Sequence, residues 1–195
     1  MNLAEAKVLV TGGNSGIGAA VAQQLVAAGA QVVIAGRNQA TLDATAAALG
    51  VAAIRADVSN EEDVTRMVRE AYEALGGLNV LVNNAGYGYG APLLQLEAQP
   101  FRDVFAVNVL GAALCAREAA KIFVKQDHGN IVNIASTAAL RGSPNASPYV
   151  ATKFALRGMT ESWRNELRPH NVRVMLVNPS EVMTEFAGRM QRPDG

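Results

Sequence analysis

The sequence is poor in cysteine, histidine, aromatic residues and charge. Its 195 residues include one cysteine and two distant histidines, which excludes an intramolecular disulfide and argues against a metal site. Basic and acidic residues number 17 each, so no net field attracts nucleic acid or an anionic membrane. No apolar run reaches membrane-spanning length, and the first residues lack a signal-peptide pattern. We therefore expect a cytoplasmic protein with no metal, nucleic-acid or membrane partner.

The abundant component is apolar: half of the residues are hydrophobic, enough to form the core of one domain over 1–195. Short β-branched runs alternate with longer amphipathic stretches. The predicted strands are 7–11, 31–36, 51–57, 78–86, 129–136 and 172–178. The predicted helices are 15–28, 38–50, a stretch from a cap at 59 or 60 to 75, 100–126 and 148–168. Because the strands lack polar alternation, we predict a Rossmann-like, doubly wound parallel sheet in a three-layer α/β/α fold.

A glycine-rich segment, TGGNSGIG at 11–18, joins the first predicted strand to the first helix. Gly12, Gly16 and Gly18 suit a tight turn with exposed N–H groups, where a pyrophosphate can rest on the helix N-terminus. The common Gly-x-Gly-x-x-Gly spacing fails because Val21 stands at the sixth place, and the absence of Gly-Lys-Ser/Thr excludes a nucleoside triphosphatase loop. A turn that only reverses the chain is the alternative.

The end of the second predicted strand bears on the choice of dinucleotide. A site for an unphosphorylated ribose has an acidic residue about 20 residues after the glycines. Here that place is Ala35-Gly36-Arg37-Asn38, without an acid. The guanidinium of Arg37 suits a 2′-phosphate, so NADP(H) is favoured over NAD(H), with an ordinary surface charge as the alternative reading of Arg37.

Tyr149 and Lys153 are four residues apart in SPYVATKFAL, residues 147–156. On a helix they lie on one face, one turn apart. A lysine ammonium beside a phenol stabilises the phenolate and lowers its pKa from about 10, which makes a proton donor usable near neutral pH. Ser147 is predicted to cap this helix, with Pro148 in its first turn. A surface tyrosine beside a solvated charge is the alternative.

Seven segments, in order and nearly end to end, resemble the standard-length branch of the short-chain dehydrogenase/reductase family. They are TGGNSGIG (11–18), ADVS (56–59), NNAG (83–86), VNVLG (107–111), IVNIAS (131–136), Tyr149-x-x-x-Lys153 and NPSEVMT (178–184). The resemblance implies a nicotinamide-dependent oxidoreductase, with NADP(H) favoured on the ground of Arg37, that transfers a hydride between nicotinamide and a carbonyl or secondary alcohol. A 3-oxoacyl thioester is favoured as substrate because of its frequency in the family, with a simple ketone and a sterol-like alcohol as alternatives. Two residues depart from the pattern: Ser180 replaces a glycine after Asn-Pro, and Ala135 replaces the first of a serine pair.

The resemblance also implies roles for individual residues. The implied catalytic residues are Asn108, Ser136, Tyr149 and Lys153. The implied cofactor-binding residues are Gly12, Asn14, Ser15, Gly16, Ile17, Gly18, Arg37, Asp57, Val58, Asn84, Ala85, Gly86, Tyr149, Lys153, Pro179, Val182 and Thr184. Among these, Asp57 and the backbone of Val58 are implied to contact adenine, and Thr184 to hold the nicotinamide carboxamide. Asn108 is implied to steady the lysine through its backbone and a water.

Two rival functions stay open beside this reading. A non-catalytic dinucleotide sensor needs the glycine turn but not the catalytic groups, and a sugar epimerase of the extended branch has other glycine spacing and a larger C-terminal part. Family members continue past the threonine loop into a substrate lid and a final strand, whereas this sequence stops at GRMQRPDG. We therefore expect a fragment of a longer product, or a weakly active member without lid and edge strand. Copies of the chain are expected to associate through helices 100–126 and 148–168 into a homotetramer or homodimer.

Overall fold

A computed structural model describes residues 2–180 of the chain. Its strands are β1 (Lys7–Thr11), β2 (Gln31–Gly36), β3 (Ala52–Arg55), β4 (Val80–Asn83), β5 (Gly129–Ile134) and β6 (Val172–Val177). Its α-helices are α1 (Gly16–Ala27), α2 (Gln39–Leu49), α3 (Glu61–Leu75), α4 (Ala98–Phe105), α5 (Ala112–Lys125) and α6 (Ser147–Leu167), with a π-helical segment, Ala106–Gly111, joining α4 to α5. Two predicted cofactor residues, Val182 and Thr184, lie outside the described residues.

The strands form one parallel sheet in the order β3-β2-β1-β4-β5-β6. Strand order therefore reverses beside β1, where the chain leaves for β2 on one side and β4 lies on the other. In open α/β sheets a ligand-binding crevice forms at such a reversal, outside the carboxyl ends of the strands. The predicted Rossmann-like doubly wound sheet is confirmed.

Apolar side chains cover both faces of this sheet. On one face Leu9 and Ile131 pack with Phe123 of α5, in a cluster that also contains residues of α3. On the other face Ile34 packs with Leu42 of α2, in a cluster that includes a residue of α1. Burial on both faces explains why the strands are continuous apolar runs in the sequence.

The helical stretch predicted over roughly 100–126 is present, but its middle is π-helical and not α-helical. The chain forms α4, a wide π turn and then α5. At the end of the turn, Gly111 lies against Val58: a Cβ on Gly111 would be 2.8 Å from Val58 Cγ2 and 2.9 Å from its carbonyl oxygen. The π turn thus brings the backbone close to the loop after β3, which residue periodicity alone does not reveal.

The predicted helix caps were partly correct. Asn60 caps α3, because its side chain accepts a hydrogen bond from the N–H of Asp63 at 3.0 Å. Ser147 does not cap α6, since it is the first helical residue, and the preceding Ala146 has no side-chain acceptor. The predicted strands 51–57 and 78–86 are also too long, because the first ends at Arg55 and the second spans only Val80–Asn83.

Within residues 2–180, no helix combines the length and apolar composition needed to cross a lipid bilayer.

Candidate active site

The turn between β1 and α1 is built from closely packed backbone. Gly12 and Gly16 have positive φ angles of 64° and 52°, which favour glycine. A Cβ on Gly18 would lie 2.2 Å from the carbonyl oxygen of Gly12, and a Cβ on Gly12 would lie 2.9 Å from the Cα of Ala85. A side chain at either position would force β1, α1 and the segment after β4 apart.

Thr11 and Asn84 fasten this turn to the end of β4. The Thr11 hydroxyl accepts hydrogen bonds from the N–H groups of Asn84 and Ala85 at 3.0 and 3.1 Å. The Asn84 amide donates to the carbonyl oxygens of Thr11 and Gly12 at 3.0 and 3.1 Å. Sequence reasoning missed Thr11, although it begins the glycine-rich motif.

The residues of the turn fit the pyrophosphate of a dinucleotide. Helix α1 begins at Gly16, and the preceding Ser15 makes no side-chain capping bond. The first N–H groups of a helix lack intrahelical partners, and an anion stabilises them. Ile17 packs against the apolar cluster below, so it contributes its backbone to the turn and its side chain to the core.

Arg37 and Asp57 meet at the carboxyl ends of β2 and β3. The Arg37 guanidinium lies 3.7 Å from an Asp57 carboxylate oxygen, and 58% of the Arg37 side chain is exposed. The Asp57 carboxylate also accepts hydrogen bonds from the N–H and hydroxyl of Ser59 at 2.9 and 2.7 Å. The structure therefore groups the charged residues that the sequence predicted for the adenosine end, and Val58 is buried beside them.

Asn14 occupies the space next to the end of β2. Its amide donates to the Thr41 hydroxyl at 2.9 Å, and its Oδ1 would lie 2.5 Å from a Cβ on Gly36. An acidic residue at Gly36, where an NAD-binding site would have one, would have to displace the Asn14 side chain. The crowding of Gly36 was not visible in the sequence.

Tyr149, Lys153 and Ser136 converge at the carboxyl end of β5. Tyr149 and Lys153 lie one turn apart on α6, with the Lys153 Nζ 5.5 Å from the centroid of the tyrosine ring. The ammonium donates to the carbonyl oxygen of Ile134 at 3.1 Å, and the Ser136 and Tyr149 side chains are hydrogen-bonded to each other. Both α6 residues are less than a tenth exposed.

Burial governs the proton affinities of this pair. It raises the pKa of Tyr149 above its ordinary value, which the hydrogen bond with Ser136 only partly offsets. It also lowers the pKa of Lys153 to about 8. The prediction of a lowered Tyr149 pKa is therefore wrong in its net direction, because burial of the phenol outweighs the hydrogen bond that opposes it.

The buried ammonium should make stability depend on pH. The ordinary lysine pKa is 10.5 and that of Lys153 is about 8, so between these values the unfolded chain holds more protons on this lysine. The contribution of Lys153 to stability therefore rises with pH. We expect the difference in unfolding free energy, wild type minus Lys153→Met, to increase by about 2 kcal/mol between about pH 8 and pH 10. Urea unfolding of both proteins across this range measures the difference. A difference that stays constant would show that Lys153 keeps its ordinary pKa.

The side chain of Asn108, in the π turn, joins two parts of the site. Its Oδ1 accepts from the N–H of Tyr87 at 3.0 Å, and its Nδ2 donates to the Tyr87 carbonyl oxygen at 2.9 Å and to the Thr152 hydroxyl at 3.2 Å. A Cβ on Gly86 would lie 3.0 Å from the same Oδ1, so the lack of a side chain at Gly86 leaves room for the Asn108 amide. The implied role of Asn108 through its backbone stays a prediction, and the contacts of its side chain were not predicted.

Pro179 connects the loop after β6 to this region. Its carbonyl oxygen accepts a hydrogen bond from the N–H of Thr137, the residue that follows Ser136, at 3.0 Å. Of the three residues predicted to contact the nicotinamide, at 179, 182 and 184, Pro179 is the one that lies within the described residues.

In the part of the chain that the structure describes, no three Cys, His, Asp or Glu side chains are grouped to hold a metal ion.

Comparisons with known proteins match almost the whole chain. The model of a family described as short chain dehydrogenase matches residues 6–194. The chain is 42% identical over 184 residues to the sex determination protein tasselseed-2 of Zea mays, an alignment that covers 90% of this chain. It spans 55% of the length of that maize protein.

Two solved structures share the fold. A short chain dehydrogenase/reductase from Burkholderia phymatum in complex with NAD aligns with a TM-score of 0.92 and 35% identity, covering 96% of this chain and 70% of that one. The 3-ketoacyl-(acyl-carrier-protein) reductase from Brucella melitensis complexed with NADH aligns with a TM-score of 0.91 and 34% identity, covering 94% of this chain and 79% of that one.

Proposed function

The chain belongs to the short-chain dehydrogenase family of nicotinamide-dependent oxidoreductases, and we propose that it transfers a hydride between NADP(H) and a carbonyl compound or secondary alcohol. The observation that carries the proposal is the convergence of Ser136, Tyr149 and Lys153 at the carboxyl end of β5, on the same edge of the parallel sheet at which the glycine turn follows β1. A dinucleotide-binding protein without catalysis has no need for these three groups together.

Three side chains account for the chemistry at the carbonyl. A bound reduced nicotinamide supplies the hydride. Tyr149 donates its phenolic proton to the oxygen as negative charge develops there, and Ser136 donates a second hydrogen bond to the same oxygen. Lys153, over the ring, stabilises the phenolate that remains. The raised pKa of Tyr149 keeps the phenol protonated at neutral pH, which is the form that reduction requires.

The proposed preference for NADP(H) rests on the end of β2. Arg37 is an exposed cation beside Asp57, and Asn14 fills the space in which an acidic side chain at position 36 would contact an unphosphorylated ribose. A 2′-phosphate at this place would gain a charge-assisted, bidentate partner in Arg37.

Removing the guanidinium tests this preference. Arg37→Ala should weaken NADPH binding by about 10-fold or more, the loss of one charge-assisted contact, and change NADH binding by less than about twofold. Fluorescence titration with each cofactor measures both affinities. Arg69→Ala on α3, which also removes an exposed arginine, is the control and should change neither. Equal losses for NADPH and NADH in Arg37→Ala would contradict the preference.

Turnover separates the enzyme from the rival sensor. We propose a 3-oxoacyl thioester as the substrate, by analogy with the 3-ketoacyl-(acyl-carrier-protein) reductase from Brucella melitensis. The purified protein with NADPH should consume the cofactor when a 3-oxoacyl thioester or another ketone from a panel is added, as followed by loss of NADPH absorbance. Binding of NADPH without consumption by any carbonyl would favour the sensor.

Self-association is the remaining part of the proposal. Leu110 in the π turn and Phe154 on α6 are large apolar side chains exposed by 50% and 43%. Both belong to the segments predicted to pair copies of the chain, and their burial would favour a homodimer or homotetramer.

A further inference from the structure

Thr152 is a buried residue of α6 between the two proposed catalytic residues of that helix. Its exposed fraction is 0%. Its hydroxyl donates to the carbonyl oxygen of Tyr149 at 2.7 Å and accepts from the Nδ2 of Asn108 at 3.2 Å. Both hydrogen-bonding functions of the hydroxyl are therefore used, one within the helix and one across to the π turn.

The connection continues beyond Asn108. The amide of Asn108 pairs with both the N–H and the carbonyl group of Tyr87, in the segment that follows β4. The Thr152 hydroxyl is thus the end of a chain of hydrogen bonds that runs from the β4 segment through the π turn to the first turns of α6. Two of the three side-chain hydrogen bonds described above for Asn108 go to Tyr87, and the third, to Thr152, reaches α6.

We propose that Thr152 is a positioning residue, whose hydroxyl fixes the first turns of α6, and with them Tyr149 and Lys153, against the segment after β4. The proposal rests on the proposed function, because it assigns those two side chains a reaction to perform. The start of α6 depends on such a tie, since Ala146 offers no side-chain cap. At full burial no water can replace the hydroxyl, so its loss leaves the Asn108 donor short of a partner.

A second threonine of the same helix provides a matched control. Thr160, about two turns further along α6, is equally buried. Its hydroxyl donates to the carbonyl oxygen of Leu156 at 2.7 Å and accepts from the Nδ2 of Asn133 at 2.8 Å. Replacing Thr160 with valine therefore removes the same kind of hydroxyl, with the same two kinds of bond, at a distance from the proposed catalytic groups.

The experiment compares Thr152→Val, Thr152→Ser and Thr160→Val with the wild type. Both valine variants should lower the urea midpoint of unfolding to a similar extent. Only Thr152→Val should lower kcat for the carbonyl that the wild type reduces, by about 10- to 100-fold, with the KM for NADPH within about threefold. Thr152→Ser, which keeps the hydroxyl, should recover kcat to within about threefold of wild type. An equal loss of kcat in Thr160→Val, or no loss in Thr152→Val, would overturn the proposal.

A second readout needs no substrate and separates this proposal from the proposed function. The chain has four lysines, so NMR of protein labelled with ¹³C in lysine can follow the titration of Lys153, assigned with Lys153→Met. We expect Thr152→Val to move this midpoint by about half a pH unit or more, and Thr160→Val and Thr152→Ser to leave it in place. If the protein reduces no carbonyl, the proposed function fails, and the Lys153 titration alone tests the role of Thr152. A shift of the Lys153 midpoint that is confined to Thr152→Val supports the positioning role. An unchanged midpoint in Thr152→Val overturns it.

Discussion

Tyr149→Phe is expected to lower the rate of carbonyl reduction by about 1000-fold and to leave NADPH binding within about twofold of wild type. The substitution removes one oxygen from a buried ring on α6 that lies under the Lys153 ammonium. The oxygen is the proposed proton donor, and its neighbour Ser136 carries no ionisable group that could replace it. The effect should therefore fall on kcat, measured by steady-state kinetics with NADPH.

The matched control for this variant is Tyr72→Phe. Tyr72 lies on α3 with 43% of its surface exposed, away from β5 and α6. Its loss of a hydroxyl should leave kcat unchanged. If Tyr149→Phe retained the activity of wild type, another group would have to protonate the substrate, and the proposed roles of Ser136 and Lys153 around the phenol would lose their basis.

The parts of the fold that could be predicted from the sequence depend on local patterns. The β1 strand and its glycine turn follow from an apolar run joined to closely spaced glycines, and the alternation of runs predicts the parallel sheet. The contact between Tyr149 and Lys153 follows from helical spacing alone. These features need no knowledge of which distant residues meet.

The remaining features depend on contacts between distant segments. The bond from Asn108 to Thr152 crosses 44 positions of the chain, and the π turn that permits it has no distinctive residue pattern. The contact of Asn14 with Gly36 likewise becomes visible only once β1 and β2 lie side by side. The direction of the Tyr149 pKa shift was also predicted wrongly, because the extent to which the phenol is buried depends on the folded protein.

Gly18→Ala is expected to weaken NADPH binding by more than about 100-fold, because the turn must open to admit one methyl group. The Cβ would lie 2.2 Å from the carbonyl oxygen of Gly12 and 2.4 Å from the Nδ2 of Asn84. Neither atom can yield easily: one belongs to the backbone, and the other is held by two hydrogen bonds. The same strain should reduce the unfolding free energy by about 1–3 kcal/mol. Fluorescence titration and urea unfolding measure the two effects.

Two further variants separate loss of the binding site from loss of the fold. Gly158→Ala on α6 has open space for its Cβ, so it should leave NADPH binding unchanged and stabilise the helix by about 0.5–1 kcal/mol. Ser15→Asp places a carboxylate at the start of α1, where it caps the helix but repels a pyrophosphate. It should therefore weaken NADPH binding without loss of stability. Since Ser15→Asp leaves the glycines intact, wild-type affinity in this variant would mean that the cofactor phosphates do not bind at the N-terminus of α1, even if Gly18→Ala fails to fold.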